Sequence, residues 1–153
     1  MGYMEEVFQR AERMFPDIEA QIGWLSSFKE KKGNAYEKAA VAVASNLQES
    51  LDITERAKST DSLIELKELS YQANRLKFNR DLPLGTINDR IRILEGEAVE
   101  QANIFREAAS LREREEAEER LKELGLGRKI GGIKSGESRR GKGLSFRAVF
   151  GEI

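Results

Sequence analysis

Cysteine and histidine are both missing from this chain of 153 residues, and proline occurs only twice. Without cysteine there is no disulfide and no thiolate metal site, and nothing reports a redox compartment. Without histidine the commonest general base and the commonest imidazole ligand are gone, which excludes His-based triads and His-carboxylate di-metal centres. Carboxylate or lysine chemistry stays open in principle, but the composition points away from an enzyme, and it calls for no cofactor and no metal. No apolar run approaches the ~20 residues a membrane-spanning helix needs. The start, Met1, Gly2, Tyr3, Met4, Glu5, Glu6, is acidic where a signal peptide is basic, and Glu6 stands where a myristoylation signal has Ser or Thr. The expectation is a protein kept in the cytoplasm of its producing cell, with no direct membrane insertion.

What the chain does have is charge and helical periodicity. Charged residues make up 35% and hydrophobic ones 39%, which leans toward an all-α protein. The net charge of −1 hides an uneven distribution. From Gly125 onward seven basic residues (Arg128, Lys129, Lys134, Arg139, Arg140, Lys142, Arg147) face two acidic ones (Glu137, Glu152), so the tail is +5 and the first 124 residues are −6. Eight of the thirteen glycines fall in the same 29 residues. The expected division is a helical body over 1–124 and a flexible, basic, glycine-rich arm over 125–153.

The body is organised around residues 86–124, which the pattern predicts as one long helix. Ile87, Ile91, Leu94, Ala98, Gln101, Phe105 and Ala108 alternate steps of four and three and so share a narrow stripe. Such a rod would be roughly 57 Å long, whereas a compact chain of this size is only about 40 Å across. The rod is therefore expected to overhang its own body and to find cover from other molecules, with Ile87, Ile91, Leu94, Ala98 and Phe105 as the partner seam. Covering that seam within one copy is the competing reading.

Upstream, Met4, Val7, Phe8, Ala11, Met14 and Phe15 predict a first amphipathic helix ended by Pro16. Ile18, Ile22, Leu25 and Phe28 predict a second, closed by Lys29 to Gly33. Asn34 opens a third with Tyr36, Ala40, Val43, Leu47 and Leu51 inward. Ser62 with Glu65 is a capping-box pattern opening a fourth, whose stripe is Leu63, Leu66, Leu69, Ala73 and Leu76. Whether the third and fourth are one interrupted rod stays open. Residues 81–85 read as the turn into the long helix, making an antiparallel hairpin. Glu116 with Arg120 and Glu118 with Lys122 are four-residue ion pairs on its charged end.

Downstream, Leu144, Phe146, Ala148 and Phe150 alternate with Ser145, Arg147 and Val149, which is a strand period. With no second strand nearby, residues 144–150 are expected to dock on a neighbour, Leu144, Phe146 and Phe150 being the anchors. Gly136, Gly141 and Lys142 come close to a phosphate-binding loop. Gly143 supplies no hydroxyl, no buried strand precedes the stretch, and only ten residues follow it, so the motif fails its context. Glu113, Glu115, Glu116, Glu118 and Glu119 point in several directions around a helix and read as a solvated face rather than a metal cluster.

Gly85-Thr86, Asp89-Arg90-Ile91, Glu95-Gly96 and Ala102-Asn103 resemble the glycine-hydroxyl turn and following helix of small internal core proteins of short-tailed bacteriophages. The resemblance implies a virion component stored above the portal and ejected with the genome, acting by helical oligomerisation and without an active site. Such proteins can carry an apolar amino-terminal stretch; here Met1 to Arg13 is only amphipathic. The leading expectation is thus a non-enzymatic assembly protein forming homo-oligomers or packing with other assembly proteins. The alternative is a nucleic-acid-binding or packaging accessory whose Arg128, Lys129, Lys134, Arg139, Arg140 and Lys142 contact phosphates without reading sequence. A third reading is an adaptor whose tail peptide binds one protein.

Overall fold

Helix α1 (Tyr3–Met14) forms where the first apolar stripe was expected, and it buries Val7 and Ala11. A computed structural model describes residues 2–27, 34–133 and 145–151 of the chain. Pro16 separates α1 from α2 (Ile18–Ser26), and Gln21 Nε2 ties the two by donating to the Phe15 carbonyl at 2.8 Å. Helix α3 (Asn34–Ser59) is 26 residues long, hence ~39 Å. It ends before Thr60, and α4 (Leu63–Asn74) begins anew, with Ser62 Oγ accepting from the Glu65 amide at 3.3 Å. The third and fourth helices are therefore separate. Then follow α5 (Asp81–Glu107), α6 (Leu111–Glu123), a 3₁₀ turn (Gly127–Gly132) and α7 (Phe146–Phe150). Every regular element among the described residues is helical, as the composition predicts, and no helix is long and apolar enough to cross a membrane.

Two apolar clusters share α3. At its amino-terminal half, Tyr36, Ala40, Val43 and Leu47 pack with Val7 and Ala11 of α1, Leu25 of α2, and Phe78. At its other half, Ile53 and Ala57 join a larger cluster built by α4, α5, α6, the 3₁₀ turn and α7. Between the clusters, α3 pins the loop that joins α4 to α5. Asn46 donates to the Phe78 carbonyl (2.8 Å) and accepts from the Lys77 amide (3.1 Å), while Ser50 Oγ donates to the Asn79 carbonyl (2.8 Å). Asn79 takes φ 56°, a left-handed conformation that asparagine tolerates better than most residues.

Three expectations are corrected. Residues 81–85 are no turn but the first turns of α5; Pro83 lies among the first helical positions, where its missing N–H costs no intrahelical bond. The helix predicted over 86–124 is two helices. α5 ends at Glu107, and Ser110 caps α6 by accepting from the Glu113 amide at 3.2 Å. The chain reverses there, because Phe105, Ala98 and Leu94 bury more completely when Ala117, Leu121 and Leu124 return across them than a straight rod allows. Finally, the boundary expected at 124/125 is crossed by the core. Leu126, Ile130 and Ile133 are all buried, so the described start of the arm is body.

Leu94 and its neighbour Ile93 measure the inward and outward faces of α5, being 1% and 57% exposed. Leu94→Ala is expected to lower unfolding stability by about 2–5 kcal/mol, and Ile93→Ala by no more than about 0.5 kcal/mol. Urea denaturation of the two variants reads the difference; equal losses would contradict the placement of this helix.

Candidate functional site

The expected partner seam lies inside the molecule. Ile87, Leu94, Ala98 and Phe105 are buried and Ile91 is half-buried against the same cluster, so α4, α6 and α7 of one copy cover the stripe. The overhanging rod that was to leave this seam open does not exist, because Ser110 folds its charged end back. Exposure of the seam to other molecules is thereby corrected.

The docking segment finds this same seam. Phe146–Phe150 form α7 rather than a strand, capped by Ser145 and Gly151; Leu144 lies outside the described residues. Ser145 Oγ accepts from the Ala148 amide at 3.2 Å, and Gly151 closes the helix at φ 74°. With no strand to pair with, the backbone satisfies itself locally. The two-residue alternation also contains an i, i+4 pair, so Phe146 and Phe150 land on one face with centroids 4.9 Å apart. Both rings are buried against the α5 cluster, which at ~1.5–3 kcal/mol for each fully buried ring holds α7 in place. Lys129 Nζ completes the seat by donating to the Phe150 carbonyl at 2.8 Å, at the negative end of this short helix.

Where α7 meets α4 and α5 an open groove of about 380 Å³ remains, lined by Leu63, Lys67, Ser70, Ile91, Glu95, Phe146, Arg147 and Gly151. Seam and tail residues thus form one site. Partial burial pushes the Glu95 carboxyl up from its ordinary value. The groove has apolar walls with charge at the rim.

The other charged residues serve the fold. Arg120 of α6 holds Glu97 of α5 through both carboxylate oxygens (2.6 and 2.9 Å), and it also reaches Asp61 (2.8 Å) and Glu123 (2.9 Å). Arg90 joins from α5, bonding Asp61 and donating to the Thr60 carbonyl at 3.3 Å. The Asp61 carboxyl is held below its ordinary range, first by the hydrogen bond from Arg120. Partial burial opposes this, and the charges of Arg120 and Arg90 reinforce it. Arg120 is itself pushed up, chiefly by Glu97. The ion pair expected between Glu116 and Arg120 is replaced, because Arg120 is drawn across to Glu97; Glu116 takes Arg112 at 3.2 Å instead. Glu118 does approach Lys122, at 3.6 Å. Among the described residues no three His, Cys, Asp or Glu side chains converge on a metal site.

Of the residues expected to contact phosphates, Arg128 is exposed on the 3₁₀ turn and Lys129 serves the α7 seat. Lys134, Arg139, Arg140 and Lys142 lie outside the described residues, as do Gly136, Gly141 and Gly143 of the loop-like motif. Sequence reasoning missed the outward stripe of α5. Leu82 (38% exposed) and Ile93 (57%) point to solvent, Leu111 (72%) stands just past the α5 end, and a side chain added at Gly96 would meet open space. Leu82 and Ile93 are eleven residues apart, three helical turns, and that spacing was the available signal. No protein-family model matches the chain, and no curated protein or solved structure matches it.

Asp61 makes the clasp sensitive to acid. A carboxylate whose folded pKa lies below its unfolded value of about 3.9 stabilises the fold above that pH and loses the contribution as pH falls through the folded pKa. Thermal melts followed by circular dichroism between about pH 5 and pH 2 are therefore expected to fall less steeply for Asp61→Asn than for the natural chain. Parallel curves would show that the Arg120 contact does not hold this carboxyl down.

Proposed function

We propose that this chain is a non-enzymatic helical assembly subunit whose copies meet through the outward stripe of α5. The observation that carries the reading is the apolar pair Leu82 and Ile93 on the exposed face of α5, with Gly96 midway between Arg92 and Glu100. A monomer gains nothing by exposing Ile93 there, whereas a second helix laid across Gly96 can approach closely and cover it.

Charge favours a second copy as the occupant. A twofold axis through Gly96 sets antiparallel α5 helices so that Arg92 of one faces Glu100 of the other, four residues either side of the axis. In the same register Glu107 falls opposite Gly85, and Glu95 falls opposite Glu97, whose carboxylate is held by Arg120 of its own chain. Arg92 is 79% exposed, and Asp89, its neighbour on the same helix, is 3.5 Å away. Exposed ion pairs contribute only about 0.2–1 kcal/mol. Burial of Ile93 and Leu82 therefore supplies the affinity, and the charges set the register. Gly85, Asp89 and Gly96, which carry part of the resemblance to phage core proteins, are all exposed on α5. On that resemblance the assembly proposed is the internal core of a short-tailed phage virion.

Light scattering across a dilution series tests the pairing. The natural chain is expected to gain mass with concentration, and Ile93→Glu to remain monomeric while keeping its helical circular dichroism. Arg92→Glu and Glu100→Arg are each expected to weaken association, and their combination to restore it. A natural chain that stays monomeric at all concentrations overturns the reading.

A further inference from the structure

The groove that receives α7 lies on α5, which α3, α4 and α6 also pack. α7 brings two aromatic anchors, Phe146 and Phe150, and the 3₁₀ turn of the body supplies one cationic latch, Lys129. Five residues are too few to hold a helix alone, so the segment folds as it binds. Its caps, Ser145 and Gly151, belong to the segment itself and travel with it. What joins it to the body is residues 134–144, eleven in number and including Gly136, Gly141 and Gly143. Eleven residues reach at most ~36–40 Å, which is about the width of a compact chain of this size. The connection is long enough to serve the groove of an adjacent copy as well as its own.

We propose that residues 145–151 are exchanged between copies, each chain seating its Phe146 and Phe150 in the α4/α5 groove of a neighbour and receiving that neighbour's in return. Exchange needs no new complementarity. Every contact of the closed form, including Lys129 with the Phe150 carbonyl, is remade in trans. Concentration then decides between them. In one chain the tail faces its own groove at an effective concentration fixed by the connection, and only copies brought close can compete with that. This inference rests on copies meeting through the α5 stripe, which raises the local concentration of grooves. Reciprocal exchange closes a dimer, while onward exchange to a third copy gives a chain of subunits held by tails.

The absence of cysteine supplies the test. Glu95→Cys and Arg147→Cys place one thiol on the α5 wall of the groove and one on α7, in separate full-length chains. The two variants are mixed, unfolded in urea, refolded together at low and high concentration, and treated with a short bis-maleimide. Exchange predicts a crosslinked dimer in the mixture that exceeds the sum of the dimers formed by each variant alone and grows with concentration. It also predicts a loss of at least fivefold when the Arg147→Cys chain also carries Phe146→Ala. A second pair, Lys67→Cys with Arg147→Cys, guards against poor folding at position 95. The absence of a mixed dimer from either pair overturns the proposal. Repeating the mixture in an Ile93→Glu background separates the two ideas. If the natural chain associates by light scattering but forms no mixed dimer, tail exchange fails alone. If mixed dimers form while Ile93→Glu leaves the natural chain's gain of mass with concentration unchanged, the α5 reading fails alone.

Discussion

The reversal of the chain at Ser110, locked by the guanidinium of Arg120, is the constraint on which the rest of this architecture depends. A helix as charged as α6 has little apolar surface with which to hold itself against a neighbour; Ala117 and Leu121 are its only buried residues. Arg120 compensates by gripping Glu97 in a two-oxygen fork and reaching past it to Asp61, so that α5, α6 and the α3–α4 junction converge on one cation. The side chains involved are a quarter to two-fifths exposed. Solvent screens such pairs, so their role is geometric before it is energetic. Once α6 lies back along α5, Leu121, Leu124 and Leu126 close the core, the 3₁₀ turn follows, and the platform for α7 exists.

Much of this was legible in residues. The stripes of α1, α3 and α4, the break at Pro16, and the cap formed by Ser62 and Glu65 appear where local chemistry placed them, except that Met14 of the first stripe faces solvent. The stop at Glu107 was equally legible and was overridden. Ser110 and Glu113 repeat the serine-x-x-glutamate spacing of Ser62 and Glu65, but the seam from Ile87 to Ala108 ran straight up to it, and the charged stretch beyond read as a continuation of the same helix. The strand expected at the tail failed for a different reason. In five residues, alternation and an i, i+4 pair describe the same two phenylalanines, and the presence of a partner decides between them. Tertiary contacts such as Arg120 with Glu97, 23 residues apart, leave no local trace.

The seam and the tail, read separately as places where other molecules would bind, turn out to bind each other. That outcome changes where an intermolecular contact has to be sought. The inner face of α5 is occupied by its own chain, and the outer face keeps an isoleucine and a leucine in water beside an open glycine. Both faces belong to one helix, so an event on either acts on the element that holds the other.

Helix α3 runs through two apolar clusters of different make-up, one of alanines and aromatics, the other rich in leucine and isoleucine. Between them the hydroxyl of Ser50 and the amide of Asn46 are committed to the backbone of the 77–79 loop rather than to either cluster. The molecule therefore has a polar waist. Melting of α1 and α2 removes what covers one end of α3 but leaves the leucine-rich end, and the platform for the tail, standing on its own contacts. The two clusters divide the contacts of α3 along its length, so amide protons at its far end are expected to outlast those near Tyr36 in deuterated solvent.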